Sequence, residues 1–246
     1  MKLGLIGGSG LYEFAALESP RCKRTMTRWG EPSAPLTVGR LHGQEIVFLP
    51  RHGADHRIPP HLVNYRANIA ALHAEGVTDI VGCTAVGGIS ATTGEIVIPR
   101  QIIDYTYGRE HTYADGSAGS VQHIDFTEPY DGNLRQQLLS AATACGIPAR
   151  PEGVYGATQG PRLETAAEIN RLEHDGCTIV GMTGMPEAAL ARELTLGYAN
   201  LSLVVNLAAG RSAGEISMHD IEQELNQGVE KMRQIISMML RLMQPE

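Results

Sequence analysis

Cysteine is scarce and scattered: Cys22, Cys83, Cys145 and Cys177 make up the whole complement, and no C-x-x-C pair occurs among them. That argues against a zinc cluster or a dithiol redox motif and leaves reduced, mostly structural thiols. No run of about 18 apolar residues is present, so no membrane-spanning helix is expected. The opening MKLGLIGGSG reaches glycine too early to form the apolar stretch of a secretion signal, which makes the cytoplasm the expected location. Positive charge is also in deficit. With 20 Lys and Arg against 27 Asp and Glu, and a net charge of −7, the chain lacks a basic surface for nucleic-acid phosphates, so any phosphate must be held locally. Pro/Ser-rich linkers, internal repeats and low-complexity tracts are absent as well, and 246 residues suffice for a single domain with a substantial core.

What is present is a series of short apolar runs bounded by glycine or proline: Leu3 to Ile6, Glu45 to Leu49, Asp79 to Cys83, Ile96 to Ile98, Thr178 to Met182 and Leu201 to Val205. These read as buried strands. Helical spacing appears over His61 to Glu75, Asn133 to Cys145, Arg162 to His174 and Pro186 to Leu196. From Ser217 an S-x-x-D start leads into Ile221, Leu225, Val229, Met232, Ile236, Met239 and Met243, the apolar stripe of a packing helix. Strands alternating with helices predict an α/β fold, a layered domain with a central mixed sheet flanked by helices. The stretch Asp104 to Asp131, rich in Tyr, His, Gly and Asp, reads as a long excursion bordering a pocket.

Several strand ends carry residues suited to ligand chemistry. Gly7-Gly8-Ser9-Gly10 offers free backbone N–H groups and a hydroxyl to an anion, or is a plain strand turn. A dinucleotide fingerprint fails there, because Glu13 stands where G-x-G-x-x-G needs its third glycine, and no Gly-Lys-Ser/Thr follows to make a P-loop. Arg51 and His52 stand side by side after the second run, a guanidinium able to grip an oxyanion in two parallel bonds, or a surface Arg and a satisfied His. His52, Asp55, His56 and His61 could suggest a metal, but Gly53, Pro59 and Pro60 break the helix that would align them, so no metal is expected. Cys83 to Ile89 ends a strand in small residues that let backbone approach a ligand, or that pack tightly. Leu163 and Glu164 open a helix, where a carboxylate complements the dipole without any ligand. Thr183 begins another, and Asn206 closes the last strand as a turn former or a ligand reader.

Taken in order, GLIGGSGLY, RHG, VNYRANIAAL, CTAVGGI, GPRLET, MTGMPEAALARE and the final VVN resemble the methylthioadenosine phosphorylase and trimeric purine nucleoside phosphorylase family over nearly the whole chain. The resemblance implies phosphate-dependent cleavage of a purine from ribose, with inorganic phosphate as co-substrate, no metal or organic cofactor, and a homotrimer. It implies a phosphate site of Ser9, Arg51, His52, the Ala85 backbone and Thr183. Replacing Arg51 by Ala would then mainly weaken phosphate use. Met182 would pack on the ribose, and Asn206, Glu164, Ala208 and Leu163 would surround the base. Asn206, Glu164 and His52 would carry the chemistry, with bound phosphate acting as nucleophile beside a developing ribose cation.

Base choice departs from the adenosine-type members, which carry Asp at the positions of Asn206 and Ala208. Asn206 resembles the residue of 6-oxopurine enzymes, and Glu164 is an acceptor suited to the N1–H of hypoxanthine or guanine, which adenine lacks. Hypoxanthine is therefore expected. The 5′ end is expected to be an apolar pocket for a methylthio group with Met218 in it, although His219 beside it could meet a 5′-hydroxyl instead, and His123 aligns with a family residue that a neighbouring subunit can supply. The rivals are an enzyme for inosine or guanosine, one for 5′-methylthioadenosine, a nucleoside binder without turnover and a dinucleotide-dependent oxidoreductase.

Overall fold

The structure, a computed structural model, describes residues 2–11, 14, 16–117, 123–214 and 216–244. The segment Leu3–Gly7 (LGLIG) is buried on both sides, as a strand inside a covered sheet must be, and forms β1. Ten further strands join it in one mixed sheet: β2 (Glu18–Lys23), β3 (Leu36–Leu41), β4 (Gln44–Pro50), β5 (Asp79–Gly88), β6 (Ile96–Val97), β7 (Gln101–Asp104), β8 (Ala149–Arg150), β9 (Val154–Ala157), β10 (Ile179–Gly181) and β11 (Gly197–Leu207). The helices are α1 (Tyr65–Ala74), α2 (Gly132–Ala144), α3 (Ala166–His174), α4 (Gly184–Glu193) and α5 (Met218–Leu242). The expected α/β layered fold is present.

Alternation along the central strands sorts the core into two layers. Leu3 and Leu5 of β1 and Ala199, Leu201, Leu203 and Val205 of β11 pack with α2 and α5. Ile6, Ile80, Tyr198 and Val204 point the other way, onto α1 and α4. Helix α5 follows the stripe read from sequence, with Ser217 capping it through Asp220 N–H at 3.4 Å.

Several boundaries differ from expectation, and three of them bear on the site. The small residues Cys83 to Gly88 do not end a strand; β5 continues through them. Asn206 lies inside β11, past a bulge between Val204 and Asn206, because pairing with Gly87 of β5 resumes there. Helix α3 starts at Ala166, four residues later than its periodicity suggested, because Thr165 and Glu168 form a reciprocal capping box that fixes the start. Glu164 therefore precedes the helix rather than sitting in its first turn.

This topology opens the sheet at one place. Strand β11 covers one edge of β5 along nearly its full length, from Asp79 to Gly88. On the opposite edge β1 pairs only with Asp79 to Gly82, and β10 takes over only at Gly87 and Gly88. Between them the edge of Cys83 to Val86 has no strand beside it. A mid-sheet gap at the carboxyl ends of parallel strands is where α/β folds place ligands.

Candidate active site

A cavity of about 420 Å³ lies against that gap, within the size range of small-molecule sites. Its walls include Ser9, Arg51, His52, Ala85, Leu163, Glu164, Met182, Thr183, Asn206, Ala208 and Met218. Eleven of the thirteen residues singled out from sequence are thus brought together. The other two are not. His219 projects from the first turn of α5 into solvent, and His123 is exposed and does not line the cavity. The excursion borders a pocket as expected, but a smaller adjacent one: Tyr105 and Tyr107 line a cavity that shares Glu164 with the main one.

At one end, β1 turns back through a bond from Leu11 N–H to the Gly8 carbonyl at 3.1 Å, with Gly10 at φ +76°. A side chain at Gly10 would strike Leu225 and Val229 of α5, and one at Gly8 would strike the Cys83 carbonyl, so both glycines are required by close approach. The turn presents Ser9 to the cavity. Thr183 stands at the head of α4 beside Tyr155, lines the cavity, and makes no capping bond with its hydroxyl.

Arg51 is completely buried, and its charge is not free. Nε and Nη2 donate to the two carboxylate oxygens of Glu187 at 2.5 and 2.9 Å, and Nη1 donates to the Cys83 carbonyl at 2.8 Å. Tyr198 OH donates to the same carboxylate at 2.8 Å. Glu187 and the hydrogen bond to it hold the Arg51 pKa above its ordinary value against the opposing effect of burial. These bonds use three of the five guanidinium hydrogens, and the residue lines the cavity. Removing Arg51 would strand a fully buried carboxylate, so Arg51→Ala is expected to cost folding stability whatever its effect on a ligand. Sequence reading gave Glu187 no role. Its signal was a lone carboxylate amid Met185, Pro186, Ala188, Ala189 and Leu190, a place where an unpaired charge would be costly.

His52 donates from Nδ1 to the Ile58 carbonyl at 2.8 Å, which leaves Nε2 as a hydrogen-bond acceptor. Burial, reinforced by the Arg51 charge, pushes its pKa down to about 4. The unfolded chain therefore takes up this proton first as pH falls, and the contribution of His52 to stability is present above about 6.5 and lost toward 4. In an NMR titration its ring signals are expected to stay those of neutral imidazole from pH 8 to 5; a midpoint near 6.5 would contradict the buried placement. The same burial raises the Cys83 thiol to about 12, so that cysteine is inert at neutral pH.

The far end is built around an amide and a carboxylate. Asn206 Nδ2 donates to the Leu207 carbonyl at 2.7 Å, orienting the side chain and leaving its other N–H and its oxygen. Glu164 Oε1 accepts from Thr158 Oγ1 at 2.6 Å. A third, aliphatic side is made by Ile216, Met218 and Ile221; sequence reading assigned Ile221 to packing and Ile216 to nothing. Met218 is 63% exposed and Leu163 42%, which marks them as the cavity mouth.

A cavity at a gap in an α/β sheet, lined by a buried arginine, an imidazole, hydroxyls, an amide, a carboxylate and an aliphatic group, suits an enzyme acting on a small polar compound with an apolar part. The family model of the phosphorylase superfamily matches residues 2–241. The chain is 50% identical over 238 residues to a probable S-methyl-5′-thioinosine phosphorylase of Pseudomonas syringae, covering 96% of this chain and 97% of that one. It is 42% identical over 242 residues to the 6-oxopurine nucleoside phosphorylase of Pyrococcus furiosus, covering 96% and 90%. The methylthioadenosine phosphorylase of Schistosoma mansoni, solved with adenine, superposes with a TM-score of 0.93 at 31% identity over 98% of this chain and 91% of that one. The chain belongs to the phosphorylase superfamily, has the nucleoside phosphorylase fold and is an enzyme of pentosyl transfer. No helix of the described residues is long and apolar enough to cross a membrane.

Proposed function

We propose that the chain cleaves S-methyl-5′-thioinosine with inorganic phosphate, yielding hypoxanthine and 5-methylthioribose 1-phosphate. The observation that carries this reading is that Asn206 and Glu164 line the same cavity, together with Ala208 where a second acid would serve adenine. Glu164 accepts the N1–H of a 6-oxopurine, and the remaining Asn206 N–H donates to the leaving base. The aliphatic side of Ile216, Met218 and Ile221 supports a methylthio group over a 5′-hydroxyl, since a hydroxyl there would lose its hydrogen bonds.

Ser9, the β5 edge at Ala85, Thr183 and the two spare Arg51 hydrogens hold phosphate. His52 Nε2, being an acceptor on a ring that stays neutral, takes a hydrogen bond from the hydroxyl of hydrogen phosphate and so orients the anion. A phosphate oxygen then bonds to C1′ of the ribose as the C1′–N9 bond breaks, the bonding pair leaves with the purine, and the phosphate charge stabilises the cationic ribose between them. Met182 packs on the ribose. No metal or organic cofactor takes part in this reaction. A homotrimer in the cytoplasm completes the reading, with His123 of one subunit reaching the 5′ end of its neighbour, since within its own chain it stands away from the cavity.

The test is purine release from methylthioinosine, methylthioadenosine, inosine and guanosine, each with and without phosphate. Phosphate-dependent release fastest from methylthioinosine is expected. Faster release from methylthioadenosine would refute the base assignment, and faster release from inosine or guanosine would refute the 5′ assignment.

A further inference from the structure

Arg109 lies in the excursion that sequence reading left without a function, yet it is 8% exposed. Among the described residues no carboxylate pairs with it. A buried cation without a counter-charge is costly and needs another reason to be there. The reason lies in its acceptors. Nε donates to the side-chain oxygen of Gln159 at 3.1 Å, and Nη2 to the Thr158 and Gln159 carbonyls at 3.2 and 2.8 Å. Nη1 donates to the Met182 and Met185 carbonyls at 2.8 and 2.7 Å, with Tyr65 OH at 3.3 Å. Five hydrogens meet five strong acceptors, and those acceptors belong to the two segments that leave the paired strands β9 and β10, one toward the main cavity at Met182 and one toward the smaller cavity at Thr158 and Gln159.

One segment is Met182 and the following Thr183, the ribose and phosphate side. The other is the Thr158–Gln159 turn, whose Thr158 hydroxyl holds the Glu164 carboxylate at 2.6 Å. Strand pairing joins the two at their base, where Thr158 N–H donates to the Gly181 carbonyl at 2.8 Å, and beyond that point the guanidinium ties them. We infer that Arg109 is a positioning residue, which fixes the distance between the base-reading carboxylate and the ribose-phosphate wall by bonding both backbones at once. This rests on the function proposed above. Lysine could not replace it, because an ammonium has three hydrogens in no fixed plane and cannot span both segments.

The experiment combines Arg109→Lys and Arg109→Met, each alone and with Glu164→Gln, with kcat and KM for phosphate and nucleoside, and amide hydrogen exchange on the ligand-free proteins. Arg109→Met is expected to lower kcat/KM about 100-fold and Arg109→Lys about 10-fold, in the range that small misplacements of catalytic groups cost. Adding Glu164→Gln to Arg109→Met is expected to cost less than about 3-fold more, because the carboxylate is already misplaced. Exchange in residues 158–164 and 182–185 should rise together by about 10-fold, with β1 and β4 unchanged. Fully additive losses, or unchanged exchange in either segment, would overturn the inference. If the wild type released no purine, the functional reading would fall while the exchange comparison still decided the role of Arg109. Should Arg109→Met not fold, Arg109→Lys carries the same readings.

Discussion

Exchanging Glu187 for Gln lowers the thermal midpoint by about 10 °C and at the same time makes the protein respond more strongly to phosphate. The first effect follows from Arg51, fully buried and gripped on two nitrogens by that carboxylate. Removing one partner of such a pair leaves an uncompensated charge at a cost of about 3–5 kcal/mol, and each kcal/mol shifts the midpoint of a chain this size by about 2–4 °C. The amide keeps the shape and some hydrogen bonding, which places the loss near the lower end. The second effect follows from the place of Arg51 in the cavity wall. With the counter-charge gone, a bound phosphate becomes the compensating anion, so it stabilises the variant more than the wild type. Thermal unfolding of both proteins over a phosphate titration measures both effects. Equal stabilisation by phosphate would remove Arg51 from the phosphate site, whatever the change in midpoint.

Asn206→Asp is expected to move the preference from hypoxanthine toward adenine nucleosides by at least about 100-fold in the ratio of kcat/KM, in line with the discrimination obtained when a site leaves a buried polar group unpaired. The amide now donates to the Leu207 carbonyl at 2.7 Å and keeps one further N–H for the base. An ionised carboxylate can donate nothing. It is repelled by that carbonyl and turns toward any proton on N7, which suits a leaving adenine and not the acceptors of a 6-oxopurine. Adding Ala208→Asp should extend the shift, because that position also lines the cavity. Competition between methylthioinosine and methylthioadenosine in one reaction gives the ratio directly, and an unchanged ratio would remove Asn206 as the base reader.

Much of the fold was legible because the inner strands are covered on both faces. The run of β1 is wholly buried, and β4 nearly so, and each reads as a strand without its context. Strand β2 was invisible for the opposite reason: all six of its residues are exposed, with Ser19, Pro20 and charged neighbours, and its extended state comes from pairing with β3. Asn206 was read as the end of a strand because an amide after five apolar residues breaks the pattern, while the pairing that carries β11 past it lies on another segment. The site was legible where a family motif names a residue and illegible where partners are distant in sequence. Arg51 and Glu187 are 136 positions apart, and Arg109 and Met185 are 76. The apolar neighbours of Glu187 hint at burial, but local pattern names neither partner, so the carboxylate and the cation went unassigned.

Helix α5 touches two parts of the cavity that sequence order keeps far apart. Its first turns carry Met218 and Ile221 at the aliphatic side, and one to three turns further on Leu225 and Val229 bear on Gly10 in the turn that presents Ser9. A rigid rod in contact with both makes them a single thermodynamic unit: whatever settles the helix at one end changes the freedom of the loop at the other, and the linkage is reciprocal. A ligand that orders Met218 and Ile221 is therefore expected to change amide exchange in residues 7–11 as well, although it need not touch them.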